Sequence, residues 1–523
     1  MNRKIYLKIL VGAGAALLSI LLLPPIIITH WVKNKLELTF NSDSSNYIIT
    51  AEKVKPLMIQ SGIELQRVRI QSKNKSRTND LDVEIKSFKI TGISLVNAIF
   101  KKEAKIRKIT ISDGNISGKI PSNRDSVNPV AIPFDLRVRK VSFDRIDLTV
   151  LNSADAGSFS FKGGSLRFYA VHVEKNDTLS TVRLKPFDFE AQEIVSVTSD
   201  SMYLYRNTGI SFSTITNILE IDSIFVKPTY KDYDFTSRYE FQKNRIEAGL
   251  SKIYIHDFDI AGYVRSGDLK SSFVEIGKMD MAVFRDNRKE FHHVNKPEFQ
   301  DIIYNYRGNI KIDSAALIRG NISYTEHTFE ANESGFISFN EIGARLYKIT
   351  NDTIYRTDTA FFRIECNALL MGKGKISVLL DARIFDSKNT FSLNGTLYAI
   401  DARELNPMLE KRAFIYVTSG MIQEMSFSFT ADNKKALGTM TMLYKGLDLA
   451  IKNKRTDDTT AFRERLVSWL VNRNVIDSNP LTDEEIRVGI IDFDRDPERF
   501  LLNYCSRAIL SGIRSSIQRN SMK

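Results

Sequence analysis

The sequence predicts a mainly β protein: an N-terminal transmembrane helix, then a long curved antiparallel β-sheet groove with a few short helices and a C-terminal amphipathic helix. Three observations carry this expectation. Apolar and polar residues alternate with a period of two down most of the 523 residues, which is the pattern of strands with one oily and one wet face. A single early stretch, Ile9 to Ile28, runs apolar, and only three windows keep a helical period.

The early stretch sets the first element, a membrane anchor over residues 1–30. Arg3, Lys4 and Lys8 precede it, and about 20 apolar residues suffice to cross a hydrocarbon core of about 30 Å. It exceeds the roughly 7–15 apolar residues of a signal peptide, and no small-x-small cleavage site follows. Ile9, Leu17 and Leu21 are expected in hydrocarbon, with Trp31 at the interface. Pro24 and Pro25 would kink or end the helix. The basic N-terminus places that end in the cytoplasm and the bulk across the membrane, although Lys33 and Lys35 on the far side run against this. A cleaved signal peptide is the alternative, and with no lipobox cysteine a lipoprotein is not expected.

The strands come next. "NDLDVEIKSFKITG" (79–92) turns Leu81, Val83 and Ile85 one way and Asp82, Glu84 and Lys86 the other. The same reading covers 62–72, 104–120, 134–143, 165–175, 219–230, 252–264, 273–284, 307–317, 361–370 and 374–385, separated by turn residues such as "DGN" and "SGD" that mark antiparallel hairpins. The segment 285–301 reads as a long loop. A Pro-interrupted stretch at 120–133 suggests a boundary, giving an N-terminal module over 31–125, a groove body over 126–455 and a helical cap region over 456–523.

Helical spacing marks 93–102, 460–473 and the terminal "DPERFLLNYCSRAILSGIRSSIQ". In the last, Asp496 is a suitable N-cap and Pro497 a suitable first residue. Leu501, Tyr504, Cys505, Ile509, Ile513 and Ile517 form an apolar stripe beside Arg507, Arg514 and Arg519. Such a basic amphipathic helix, with Arg507 and Arg514 as contacts, fits a membrane or a protein partner; an end cap covering a sheet edge is the preferred reading.

Chemistry-bearing motifs are few. The formal charge of +12 suits anionic partners, but the basic residues are dispersed and lack aromatic interleaving, so nucleic acid is not expected. No phosphate-binding glycine loop, nucleophile elbow or zinc-protease motif is present. His292 and His293 are adjacent on a loop, Asp492, Asp494 and Asp496 suit a strand-to-helix corner, and Cys366 and Cys505 form no CxxC. No catalytic, cofactor or metal site is therefore expected.

The remaining question is what covers the oily faces. Helices are too few, and stacked sandwich domains should announce more boundaries. A trough filled by acyl chains remains, with Leu81, Val83, Ile85, Ile109, Ile111, Phe134, Leu136 and Val138 as candidate lining residues. An ordinary closed core against another sheet is the alternative for the same residues.

The anchor ending in Trp31, followed by "LQRVRIQ" and "LDVEIKSFKITGISLVNAIFKKEAKIRKITISDGNISGKI", resembles the N-terminal module of AsmA-like proteins, the group of AsmA, TamB and YhdP. "LEIDSIFVKPTY", "MDMAVFRDNRKEF", "YTEHTFEANESGFISFNEIGARLYKITN" and "YCSRAILSGIRSSI" resemble the Bacteroidota type. The resemblance implies kinship with chorein-type bridge-like lipid transfer proteins. It also implies single-pass attachment to the inner membrane, a periplasmic β-groove (a β-taco), and phospholipid conduction toward the outer membrane in support of envelope integrity. A non-catalytic periplasmic scaffold that assembles other envelope proteins is the alternative.

Overall fold

A computed structural model describes residues 47–73, 80–94, 103–119, 135–150, 158–174, 181–356, 361–451, 475–481 and 485–518. The expected anchor residues Ile9, Leu17, Leu21 and Trp31, the lining residue Phe134 and the expected helix at 460–473 lie outside them, as does all but the start of that at 93–102. No described helix is long and apolar enough to cross a membrane. The chain forms two compact units, Met1–Asp222 and Ser223–Lys523.

In the first unit eight strands neighbour one another in chain order: β1 (Tyr47–Leu57), β2 (Gly62–Ser72), β3 (Asp80–Thr91), β4 (Glu103–Lys119), β5 (Asp135–Val150), β6 (Phe159–Glu174), β7 (Thr181–Val197) and β8 (Tyr203–Ser213). A further strand, β9 (Ile218–Pro228), spans the unit boundary. All pairings from β1 to β8 are antiparallel except β4–β5, which is parallel. The expectation of a purely antiparallel sheet is thus corrected. Fifteen residues, 120–134, separate β4 from β5, and a connection that long can return the chain to the end where it started, as a tight hairpin cannot.

Five strands of this unit, β2, β4, β5, β6 and β8, carry a left-handed residue inside the strand. Arg67, Asp113, Arg145, Gly163 and Gly209 have φ of 50°, 55°, 55°, 60° and 58°, in the left-handed region that interrupts an extended chain. Each sits in a gap of the ladder, and the gaps face one another from strand to strand. Gln66/Val68 lies opposite Ile85/Ser87, which lies opposite Ser112/Gly114, and so on to Asp144/Ile146. The result is a crease running across the strands.

The crease resets the alternation. Apolar residues fall at 63 and 65, then at 68 and 70, in β2; at 83 and 85, then 88 and 90, in β3; and at 141 and 143, then 146 and 148, in β5. The intervening Arg67, Lys86 and Arg145 are exposed. One face therefore stays apolar on both sides of the bend. The charges at the bend pair along it: Arg67 Nε lies 2.8 Å from Glu52 Oε2 and Arg145 Nε 2.6 Å from Asp113 Oδ1. Hydrogen bonding from Arg145 holds the Asp113 carboxyl below its ordinary value.

The second unit contains β10 (Asn244–His256), β11 (Leu269–Asp286), β12 (Ile310–His327), β13 (Gly335–Thr350), β14 (Phe362–Leu370), β15 (Gly374–Ala382), β16 (Phe391–Asp401), β17 (Ile415–Ala431), β18 (Lys435–Ile451) and β19 (Val488–Asp494). Each pairs with the next, antiparallel save for β11–β12. Among the described residues five α-helices accompany them: α1 (Asp232–Ser237), α2 (Ile260–Ser266), α3 (Phe299–Tyr304), α4 (Asn406–Ala413) and α5 (Leu501–Ile517). The strand expected over 252–264 stops at His256, because Asp259 Oδ1 accepts from Gly262 N and starts α2. The expected loop 285–301 ends in α3, which Glu298 and Asp301 open with a reciprocal capping box.

Here the oily face is closed by protein. Phe391, Leu393, Phe427, Phe429, Met440, Ile491, Tyr504 and Ala508 belong to one buried cluster drawn from β14 to β19 and α5, with Leu409 of α4 against it. Cys505 is in that cluster, and burial pushes its thiol up to about 12, as befits a small apolar residue rather than a nucleophile.

Helix α5 is a cap, and it seals the sheet edge with its own hydroxyls. Ile490 N donates to Ser515 Oγ (2.9 Å) and Asp492 N to Ser511 Oγ (3.3 Å), so outward N–H groups of β19 are not left as a template for another strand. Gly512 makes the approach possible, since a Cβ there would sit 2.8 Å from Ile491 Cγ1. The helix starts at Leu501, one turn later than expected: Asp496 instead accepts from Glu498 N in a preceding turn, and Phe500 is the cap residue, without a side-chain bond.

A buried ion pair ties this end together. Arg495 Nε lies 2.5 Å from Glu298 Oε1, with side chains 2% and 7% exposed, and burial holds the Glu298 carboxyl above its ordinary value despite that partner.

Two outcomes follow from these contacts. Arg495→Met, which strands Glu298 in the interior, is expected to lower stability by about 3–5 kcal/mol in urea unfolding, and adding Glu298→Gln to recover part of it. Gly512→Val should cost about 1–3 kcal/mol by overpacking Ile491 and Met440, with concentration-dependent self-association in analytical ultracentrifugation once β19 is unsealed.

Candidate functional site

The candidate site is the apolar face of the first unit. Directly paired residues share a face, so the register can be read as rows across the strands. One row runs Val54, Leu65, Phe88, Ile111, Phe143, Leu166, Phe189, Phe212, apolar on all eight strands. A second runs Pro56, Ile63, Ile90, Ile109, Val141, Phe168, Phe187. Across the crease lies Ile49, Ile70, Val83, Ile116, Leu148, Phe161, Ile194. With strands about 4.8 Å apart, eight strands give a band roughly 34 Å long.

The row beside the crease is apolar and interrupted by glycines. It carries Val68, Ile85, Gly114, Ile146 and Gly164, with Ala191 paired to Ile210 further on. At Gly164 a Cβ would collide with the Phe161 ring. Aromatic rings continue the surface across β6 to β8: Phe161–Phe189 at 5.8 Å, Phe168–Phe187 at 5.9 Å and Phe187–Phe212 at 5.7 Å between centroids.

Of the expected lining residues, Leu81, Val83, Ile85, Ile109 and Ile111 fall in these rows or beside them. Leu136 and Val138 pair with Val173 and Val171 near the start of β5, beyond a second break in the alternation, between Val138 and Val141. Val83 and Val138 are buried; Leu81, Ile85, Ile109, Ile111 and Leu136 are half-buried. Sequence reading missed Phe88, Phe143, Phe168, Phe187 and Phe189. The signal was the three-residue spacing that carries the apolar series across each bend, as in Ile85–Phe88 and Phe143–Ile146.

Among the described residues of the first unit the only helical element is the 3-10 turn Met58–Gln60. The opposite face is charged. Arg69 and Glu84 approach to 3.4 Å, Lys89 and Glu64 to 3.3 Å, Arg167 and Glu190 to 3.0 Å, and Arg206 and Glu193 to 3.3 Å. Apart from Lys89–Glu64, whose carboxylate is buried, such exposed pairs add little stability, but they keep that face in water.

Elsewhere the expected non-sites have structural partners. His292 stacks on Phe241 (4.6 Å) while His293 turns to Glu498 (2.9 Å). Asp492 pairs with Lys435 at 2.8 Å. No group of three metal-ligating side chains occurs among the described residues. Arg507 and Arg514 are both half-buried on α5.

The sequence matches no protein-family model and no curated protein.

The crease carries a test of its own. A Cβ at Gly209 would meet the Asp222 carboxylate, and its φ is left-handed. Gly209→Val is therefore expected to cost about 1–3 kcal/mol in chemical denaturation, whereas Arg67→Gly, which relieves the same backbone conformation, should cost far less despite losing the Glu52 pair.

Proposed function

We propose that this chain is a non-catalytic, membrane-anchored lipid carrier of AsmA-like type, in which the apolar face of the first unit takes phospholipid acyl chains and conducts them toward the outer membrane. In this reading the N-terminus is cytoplasmic, the anchor lies in the inner membrane and the bulk of the chain is periplasmic. One observation carries it: the apolar rows cross eight successive strands and, among the described residues of the first unit, the only helical element is the 3-10 turn Met58–Gln60. The anchor and the resemblance in "LQRVRIQ" and the following strands support the same reading.

The physical advantage is large. Moving a phospholipid through water exposes about 30 methylenes at about 0.8 kcal/mol each, a barrier on the order of 20 kcal/mol. Tails sliding along an apolar face keep their contacts while the head group stays hydrated. No reacting group is needed. The scaffold reading docks envelope proteins through the sheet edges and α5, and of these α5 applies its apolar stripe to β18 and β19.

The body, residues 35–523, purified without detergent, is expected to carry phospholipid detectable by mass spectrometry. Ile85→Asp and Phe143→Asp should remove that lipid while lowering stability by about 1 kcal/mol or less, as for partly exposed positions. Loss of folding in both variants, with no lipid on the parent, would establish a closed core instead.

A further inference from the structure

A second surface lies on the wet side of the first unit, near one end of its strands. Strands β4 and β5 are parallel, and their register sets "KIRK" (105–108) beside "RVRK" (137–140), with Lys105 paired to Arg137 and Lys108 to Lys140. Two positions rather than one separate the apolar residues there, Ile106 from Ile109 and Val138 from Val141. Arg107 and Lys108 on one strand, and Arg139 and Lys140 on the other, therefore all turn away from the apolar face, and both arginines are exposed.

The rest of that side is arranged differently. Arg69 meets Glu84 there, Arg145 meets Asp113 and Arg167 meets Glu190, whereas like charges set directly opposite one another cost stability. Among the described residues Arg107, Lys108, Arg139 and Lys140 form no ion pair, and Lys140 lies 5.3 Å from the centre of the Tyr169 ring. The same end carries an apolar tip: Ile59, in the 3-10 turn Met58–Gln60, is 99% exposed. Gln60 O accepts from Gly92 N (2.8 Å) and Gly92 O from Arg107 N (3.2 Å), so two hydrogen bonds join the turn to the basic strip. Gly92 permits this approach, since its φ is 68° and a Cβ there would fall 2.4 Å from Arg107 Cβ.

We propose that this end of the first unit docks on an anionic bilayer surface, with Arg107, Lys108, Arg139 and Lys140 among the head groups and Ile59 at the edge of the hydrocarbon. Lysines and arginines near such a surface each add attraction, and an apolar side chain beside cations is the combination that interfacial segments use. The choice of a bilayer over an acidic protein rests on the membrane-anchored reading. Residues 31–46 lie between the expected anchor and β1, and a chain of that length spans at most about 55 Å, which keeps this unit beside the membrane. The surface is otherwise independent of whether the apolar face carries acyl chains.

The test holds the full chain in phosphatidylcholine nanodiscs and pellets it with sucrose-loaded vesicles, either of phosphatidylcholine alone or with one third phosphatidylglycerol. Binding to the anionic vesicles is expected, falling as salt is raised, with little binding to the neutral ones. Arg107→Gln and Arg139→Gln together should weaken it about tenfold or more, whereas lysine at both positions should preserve it. Ile59→Ser should weaken it several-fold, and Arg403→Gln, at an exposed pair with Asp401 in the second unit, should leave it unchanged. The salt dependence of the parent and the Ile59→Ser result decide the matter should the glutamine variant not fold. Equal binding to neutral vesicles, or binding indifferent to salt and to these substitutions, would overturn the surface. Retention on single-stranded DNA at a salt concentration that already releases the vesicles would overturn it in favour of nucleic acid. Lipid carried by the purified protein is measured in the same samples: vesicle binding by a protein that carries none upholds this surface while the acyl-chain reading fails.

Discussion

A strand turns every second side chain to the same side, and this rule governs the first unit because its strands are bent. A bend made by one left-handed residue would, with uninterrupted alternation, send the apolar residues beyond it into water. The sequence compensates by skipping one position at each bend, so Leu65 is followed by Val68 and Phe143 by Ile146. The crease and the continuous apolar face are therefore one feature. Neither survives a one-residue insertion in any of the strands that share it.

The two units answer the same question about their oily faces differently. In the second, Phe391, Phe427, Phe429 and Tyr504 fill the space beneath α5, and the Tyr504 hydroxyl still finds the Asp432 carbonyl at 3.1 Å. In the first, rings such as Phe143, Phe168 and Phe189 remain half-buried. Hydrocarbon surface of that extent is uncommon on a protein that has nothing to put there. The contrast within one chain separates a part whose oily face is filled by its own side chains from a part whose apolar rows stay half-buried.

Much of this was legible in the residues. The strand at 62–72 falls on Gly62–Ser72, and those expected at 104–120 and 361–370 are matched within a residue at either end, because alternation is local and dense. The short helices were not legible: α1, α2 and α3 span six or seven residues, less than two turns, so no periodicity can build up. The parallel pairings were missed for another reason. Strand direction is set by where a connection returns the chain, which no pattern inside β4 or β5 records.

The hydroxyls of Ser511 and Ser515 have an implication for how such a chain can change in size. A hairpin duplicated within the body needs only neighbours of matching register on both sides. One appended after β19 would have to evict α5 and expose Met440 and Ile491 beneath it. Lengthening of this architecture by duplication is accordingly easier inside the sheet than directly after β19, where α5 holds the edge.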